Sequence, residues 1–151
     1  MPSVDVVDET WFAVPARVLA AVFSESQSWP RIWPDLQLEV FADRGAKGMK
    51  WTVAGALVGS MEVWLESVDP GGEPGTLLHY FLRADAPGRD GRPEPLPPRR
   101  AAAETARRQR AAKRFALTLK RHLECGRPPG EPPEAPPGGP GQGAPPDTQR
   151  S

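Results

Sequence analysis

Four ionisable residues fall in two neighbouring stretches, Glu62 and Glu66 in GSMEVWLESV and His79 and Arg83 in GTLLHYFLRA. A carboxylate beside an imidazole can pass a proton either way, the equipment of acid–base catalysis in, for example, an aldol-type cyclisation. Two strands joined by the turn-forming DPGGEPG would bring the four together. Setting Leu65 opposite Tyr80 places Val63 against Leu82 and Met61 against Ala84 on one face. The other face then pairs Glu62 with Arg83, Trp64 with Phe81 and Glu66 with His79. Slipping by one residue would put Glu62 against Leu82, so the alternation favours the first register. The same four residues also read as cross-strand ion pairs on a solvent face, each worth about 0.2–1 kcal/mol. That simpler reading is preferred, and no catalytic residue is assigned.

Other chemistries find less support. His122 lies three residues before the single cysteine, Cys125, on what reads as an exposed helix face. One cysteine makes neither a disulfide framework nor a zinc quartet, and it suits a reducing compartment. GxSxG, HExxH, P-loop and GxGxxG patterns do not occur, so no metal site and no cofactor is expected. No apolar run approaches the roughly 18–20 residues of a membrane span, and MPSVDVVDE does not fit a secretory signal. A cytoplasmic location is the expectation.

The elements that must position these residues read as follows. Residues 3–13 alternate as a strand, and PARVLAAVFSE follows as a helix entered through Pro15. SWPRIWPD then breaks the helix, because each proline removes a donor and pushes the preceding Trp29 or Trp33 towards extended geometry. LQLEVF, GMKWTVAGA, GSMEVWLESV and GTLLHYFLRA are four strands, separated by RGAKG, ALVG and DPGGEPG. Met49, Trp51 and Val53 fall opposite Leu65, Val63 and Met61, extending one apolar wall. Residues 86–98 form a proline-punctuated connection, and residues 99–124, without Gly or Pro, form a long helix capped at Gly126. Ala112, Phe115, Ala116, Leu119 and Leu123 give that helix one apolar side for the sheet. The class is α+β: a curved antiparallel sheet of five strands, or six if residues 86–98 hide one, wrapped on a long C-terminal helix.

Residues 1–126 therefore read as one domain. Residues 127–151 hold nine prolines and five glycines and no Val, Ile, Leu, Phe, Tyr or Trp, which predicts a disordered tail. The net charge of zero conceals a segregation. Residues 1–98 carry 14 acids against eight bases, whereas residues 99–124 carry nine bases against two acids. A basic helix of this kind could follow phosphates or an anionic membrane, but a helix covering a sheet also needs a polar outer face. No aromatic residue lies in its first four turns to stack on bases, and nucleic acid is not expected.

The run VPARVLAAVFSESQSWPRIWPDLQLEV resembles the opening of the polyketide cyclase/dehydrase branch of the START-like (SRPBCC) helix-grip superfamily. There a strand leads through a "-PA--V---" helix to a short "-WP-W-P-" second helix and the next strand. WTVAGALVGSMEVWLE and the closing helix continue the likeness to residue 124, with fewer strands than the family's usual seven. The resemblance implies a cavity between sheet and helix for a hydrophobic small molecule, lipid or polyketide-like, and no universal catalytic set. Trp29 and Trp33 would lie near its mouth, either plugging the core or forming an aromatic rim. The residues expected to contact ligand are Trp29, Trp33, Trp51, Met61, Val63, Leu65, Tyr80, Leu82, Phe115 and Leu119. An empty apolar pocket of about 300 Å³ would cost roughly 7 kcal/mol, against a net stability of about 5–15 kcal/mol. The cavity should thus be small, open at the Trp33 end, or filled. Two alternatives stay open: an aromatase/cyclase-type enzyme, and an interaction module using the basic helix.

Overall fold

A computed structural model describes residues 1–68 and 74–124. The predicted tail, the Gly126 cap, Cys125 and the centre of the DPGGEPG turn lie outside the described residues. The chain runs β1 (Val4–Phe12), α1 (Ala16–Ser24), a single 3-10 turn, α2 (Trp29–Ile32) and β2 (Leu36–Asp43). It continues through β3 (Gly48–Gly55), β4 (Val58–Val68), β5 (Gly75–Pro87) and β6 (Pro93–Glu94) to α3 (Pro98–Leu123). Six strands form one antiparallel sheet in the order β1-β5-β4-β3-β2, with the two residues of β6 paired to the end of β5. That short pairing is the sixth strand within residues 86–98.

Both sequence-derived registers are corrected by two residues. Leu65 faces Leu78, Val63 faces Tyr80 and Met61 faces Leu82. On the other side Met49 faces Val63 and Trp51 faces Met61. Side chains alternate with period two, so an even shift leaves every residue on its predicted face. Alternation therefore selects the face and leaves the partner open.

The Trp-Pro stretch also differs from expectation at one point. Trp33 is not helical (φ −130°, ψ 76°), but Trp29 is (φ −58°, ψ −42°). Pro30 occupies the first turn of α2, where its missing N–H has no helical partner to lose. The Trp29 indole N–H donates to the Phe23 carbonyl at 2.9 Å, and its ring meets Trp51 edge-on at 5.6 Å. These contacts hold the residue before proline in a conformation it ordinarily avoids.

The core lies between the sheet and the helices, around Val4, Val6, Phe12, Leu19, Trp51, Met61, Val63, Leu78 and Leu82. Ala116 and Leu119 of α3 are buried in it, with Ala112, Phe115 and Leu123 packed at its margin. α3 is also tied to β1, which forms an edge of the main sheet. Gln109 Nε2 donates to the Val7 carbonyl (2.6 Å), Lys113 Nζ to that of Glu9 (2.9 Å) and Lys120 Nζ to that of Trp11 (2.6 Å). Alternate carbonyls of the strand are thereby satisfied by side chains instead of by another strand.

Candidate functional site

The strongest candidate is a hollow of about 330 Å³ between α3, the Trp33–Asp35 segment and the inner face of β1 and β5. Its apolar wall comes from Phe23, Ile32, Trp33, Leu78, Tyr80 and Phe115, and Ala112 and Ala116 leave the floor open. Small residues on the helix make the space; aromatic residues on the opposing elements shape it. Trp33 and Tyr80 lie nearly parallel, 17° apart with ring centroids at 6.4 Å. Phe23 meets Phe115 edge-on at 6.1 Å. The exposed lining residues Pro34, Asp35, Arg107 and Ala111 mark the mouth.

Polar groups reach this hollow, which the sequence did not suggest. Asp8, directly opposite Tyr80 in the β1–β5 pairing, is buried and faces inward. Lys113 Nζ lies 3.0 Å from its Oδ1, and the Thr10 hydroxyl donates to Oδ2 at 3.1 Å. At the mouth Arg108 donates two bonds to Asp35, Nη1 to Oδ1 at 2.9 Å and Nη2 to Oδ2 at 2.6 Å, and a third to Glu104. Arg107 joins the same carboxylates. Gly55 makes room for this clamp. It has φ +100°, and a Cβ there would lie 2.8 Å from the Asp35 carbonyl.

The charges of the clamp stabilise one another. Burial alone would raise the Asp35 carboxyl, but the hydrogen bonds and charge of Arg108, with Arg107, hold it below the usual carboxylate range. Glu104 follows the same balance: burial raises it, and Arg107 and Arg108 outweigh that and hold it below the usual carboxylate range. Tyr80 goes the other way. Burial pushes its phenol up to about 12, so it stays protonated, donating to Met61 Sδ at 3.3 Å.

Of the ten residues expected to contact ligand, Trp33, Tyr80 and Phe115 line the hollow. Trp51, Met61, Val63, Leu65, Leu82 and Leu119 lie behind that wall in the packed core, and Trp29 is half-buried against Trp51. Phe23, Leu78, Asp8, Asp35 and the Arg107–Arg108 pair went unrecognised. Asp35 closes the SWPRIWPD motif, but no local signal points from it to an arginine 73 residues away.

The outer face bears the four residues first singled out. His79 is held at both ring nitrogens, Nδ1 2.8 Å from Glu9 Oε2 and Nε2 2.9 Å from Glu66 Oε1. Trp64 stacks on the ring at 4.2 Å, leaving the side chain 7 % exposed. Glu66 thus meets His79 diagonally, its directly opposite residue being Leu77. Glu62 lies by Arg44 and Lys50, not Arg83, which faces Asp5. This is a lattice of polar contacts and ion pairs in which neither imidazole nitrogen is free. His122 is exposed. Among the described residues no cluster of His, Cys, Asp and Glu is arranged to hold a metal ion.

A curved antiparallel sheet gripping one long C-terminal helix is the helix-grip fold, the fold implied by the Trp-Pro resemblance. The chain is also similar to three solved structures. DR_A0006 from Deinococcus radiodurans superposes with a TM-score of 0.56 at 18% identity, over 82% of this chain and 99% of that one. The ZhuI aromatase/cyclase from Streptomyces sp. R1128 gives 0.40 at 14% identity, over 80% and 94% of the two chains. Ara h 8.0201 gives 0.37 at 17% identity, over 76% and 97%. No protein-family model matches the chain, and no curated protein matches it. Among the described residues no helix is long and apolar enough to cross a membrane.

Proposed function

We propose that the protein binds a hydrophobic small molecule, lipid or polyketide-like, in the hollow between sheet and α3, without catalysing its conversion. The observation that carries this reading is an aromatic-walled space of about 330 Å³ left open beside a packed core. That volume is at the low end of the roughly 300–1,000 Å³ typical of small-molecule sites. Its polar groups suit orientation better than chemistry. Asp8 and Asp35 are each engaged by a cation, and Tyr80 is a protonated donor. The aromatase/cyclase alternative keeps one observation in its favour, an ionisable residue, Asp8, on the cavity wall.

The test is a thermal-shift screen of fatty acids, sterols and aromatic polyketides, together with mass spectrometry of small molecules extracted from the isolated protein. A ligand present at about 100 times its Kd adds roughly 2.7 kcal/mol of stability, a readily measured rise in Tm. No shift with any of them, and no bound molecule, would remove the proposal. Turnover of a poly-β-ketone substrate lost in Asp8→Asn would replace binding with catalysis.

A further inference from the structure

We propose that the outer face of α3 docks the protein on an anionic lipid bilayer. This rests on the helix's arginines and not on the cavity, so a cavity that takes no ligand leaves it intact.

The charge on α3 divides into two sets. Arg107, Arg108, Lys113 and Lys120 each have an acidic partner within the fold. Arg99, Arg100, Arg110, Arg114 and Arg121 are exposed and have no ion pair among the described residues. At 3.6 residues per turn, Arg99, Arg110, Arg114, Leu117 and Arg121 fall within about 60° of arc, along a stripe about 33 Å long. The two acids of the helix segment, Glu104 and Glu124, are engaged by Arg107, Arg108 and Lys120. A helix needing only a polar outer face would mix both signs. Arg110 and Arg114, four residues apart, repel each other instead. An unmixed cationic stripe fits an anionic surface.

Three features favour a bilayer over nucleic acid. Leu117 lies in the stripe and is 47 % exposed, an apolar group suited to the headgroup boundary. Ala103 and Ala106 are the exposed residues between Arg99 and Arg110 on that side, and they allow close approach to a flat surface. No aromatic side chain on this face is placed to stack on a base. Arg107 and Ala111, at the cavity mouth, lie on the flank of the stripe. Docking would set the mouth beside the membrane.

The experiment is co-sedimentation of the full chain with vesicles of equal parts phosphatidylcholine and phosphatidylserine, and with vesicles of phosphatidylcholine alone. Binding is expected only to the former and should weaken as salt rises. Each arginine neutralised should weaken it about fivefold, so Arg110→Gln/Arg114→Gln/Arg121→Gln together should cost about a hundredfold. The triple variant's Tm should match the unsubstituted protein; if it does not fold, Arg114→Gln alone should show the fivefold loss. Arg17→Gln, an exposed arginine on α1, should change nothing. Equal binding to both vesicle types, no binding, or an Arg17→Gln effect as large as that of Arg114→Gln would overturn the proposal. Tighter binding to mixed-sequence DNA than to the anionic vesicles would also overturn it and assign the stripe to nucleic acid.

Discussion

Arg108 and Asp35, 73 residues apart, form a two-bond clamp that joins the Trp-Pro segment to the middle of α3. The guanidinium is 8 % exposed and the carboxylate 39 % exposed, so one partner would be left buried if the other were removed. The clamp sits where the cavity opens, and it fixes the distance between Trp33 and the helix. Fold and mouth thus depend on the same contact.

Asp35→Ala should therefore destabilise the protein by about 1.5–3 kcal/mol, the range for hydrogen bonds to a charged group. Removal of an exposed acid such as Glu39, which has no ion pair among the described residues, should stay within about 0.5 kcal/mol. Equal Tm values for the two variants would mean that the clamp adds nothing.

The clamp also sets a pH dependence. Asp35 and Glu104 have folded-state values below the usual range, so the unfolded chain takes up protons first as pH falls. Their contribution is present above the unfolded values, about 4, and is lost as pH drops through the lower folded values. The stability gap between the unsubstituted protein and Asp35→Asn should be widest near neutrality and should narrow below about pH 4. A gap unchanged down to acid unfolding would contradict this.

Tyr80 is the single tyrosine, which makes its titration unambiguous. Tyrosinate absorbance should not develop near the ordinary value of about 10 but only towards about 12, or at alkaline unfolding. Because the folded value is raised, the associated stability is complete below about 10 and is lost as pH climbs through the folded value. A normal titration in the folded protein would mean that water reaches the phenol freely.

How far the sequence reached can be judged from these same residues. The strands, both main helices and the apolar face of the meander were legible, because periodicity reports on faces. Register was not: Val63 against Tyr80 and Val63 against Leu82 leave identical alternation. Charge matching misled, since Glu62 had nearer cations in Arg44 and Lys50 than in Arg83. The clamp was illegible for a different reason. Asp35 ends a motif and Arg108 is one of nine bases in its segment, and only tertiary packing selects that one.

The outer-face lattice should be structural. Glu66 is 42 % exposed, so Glu66→Gln should cost less than about 1 kcal/mol and leave any ligand-induced thermal shift intact. His79→Ala should cost more, because it also removes the ring against which Trp64 stacks. Loss of ligand response in Glu66→Gln, with folding preserved, would move the functional site to this face.

The cavity offers the sharpest contrast between two substitutions. A dry void of 330 Å³ would cost about 8 kcal/mol at about 24 cal/mol per Å³, too much for a small domain to carry empty. The open mouth admits solvent and relieves part of that cost, as a ligand would. Ala112 lies on the floor in mid-helix, where leucine is nearly as good a helix former as alanine. Ala112→Leu should then fill space, raise the ligand-free Tm and abolish the thermal response to an apolar ligand. Phe115→Ala removes a wall, should lower stability by about 3 kcal/mol, and should weaken that response without abolishing it. The two variants are thus expected to move ligand-free Tm in opposite directions while both reduce the ligand shift. If Ala112→Leu lowers Tm and leaves the ligand shift unchanged, the molecule binds elsewhere and the space beneath α3 is only a packing defect.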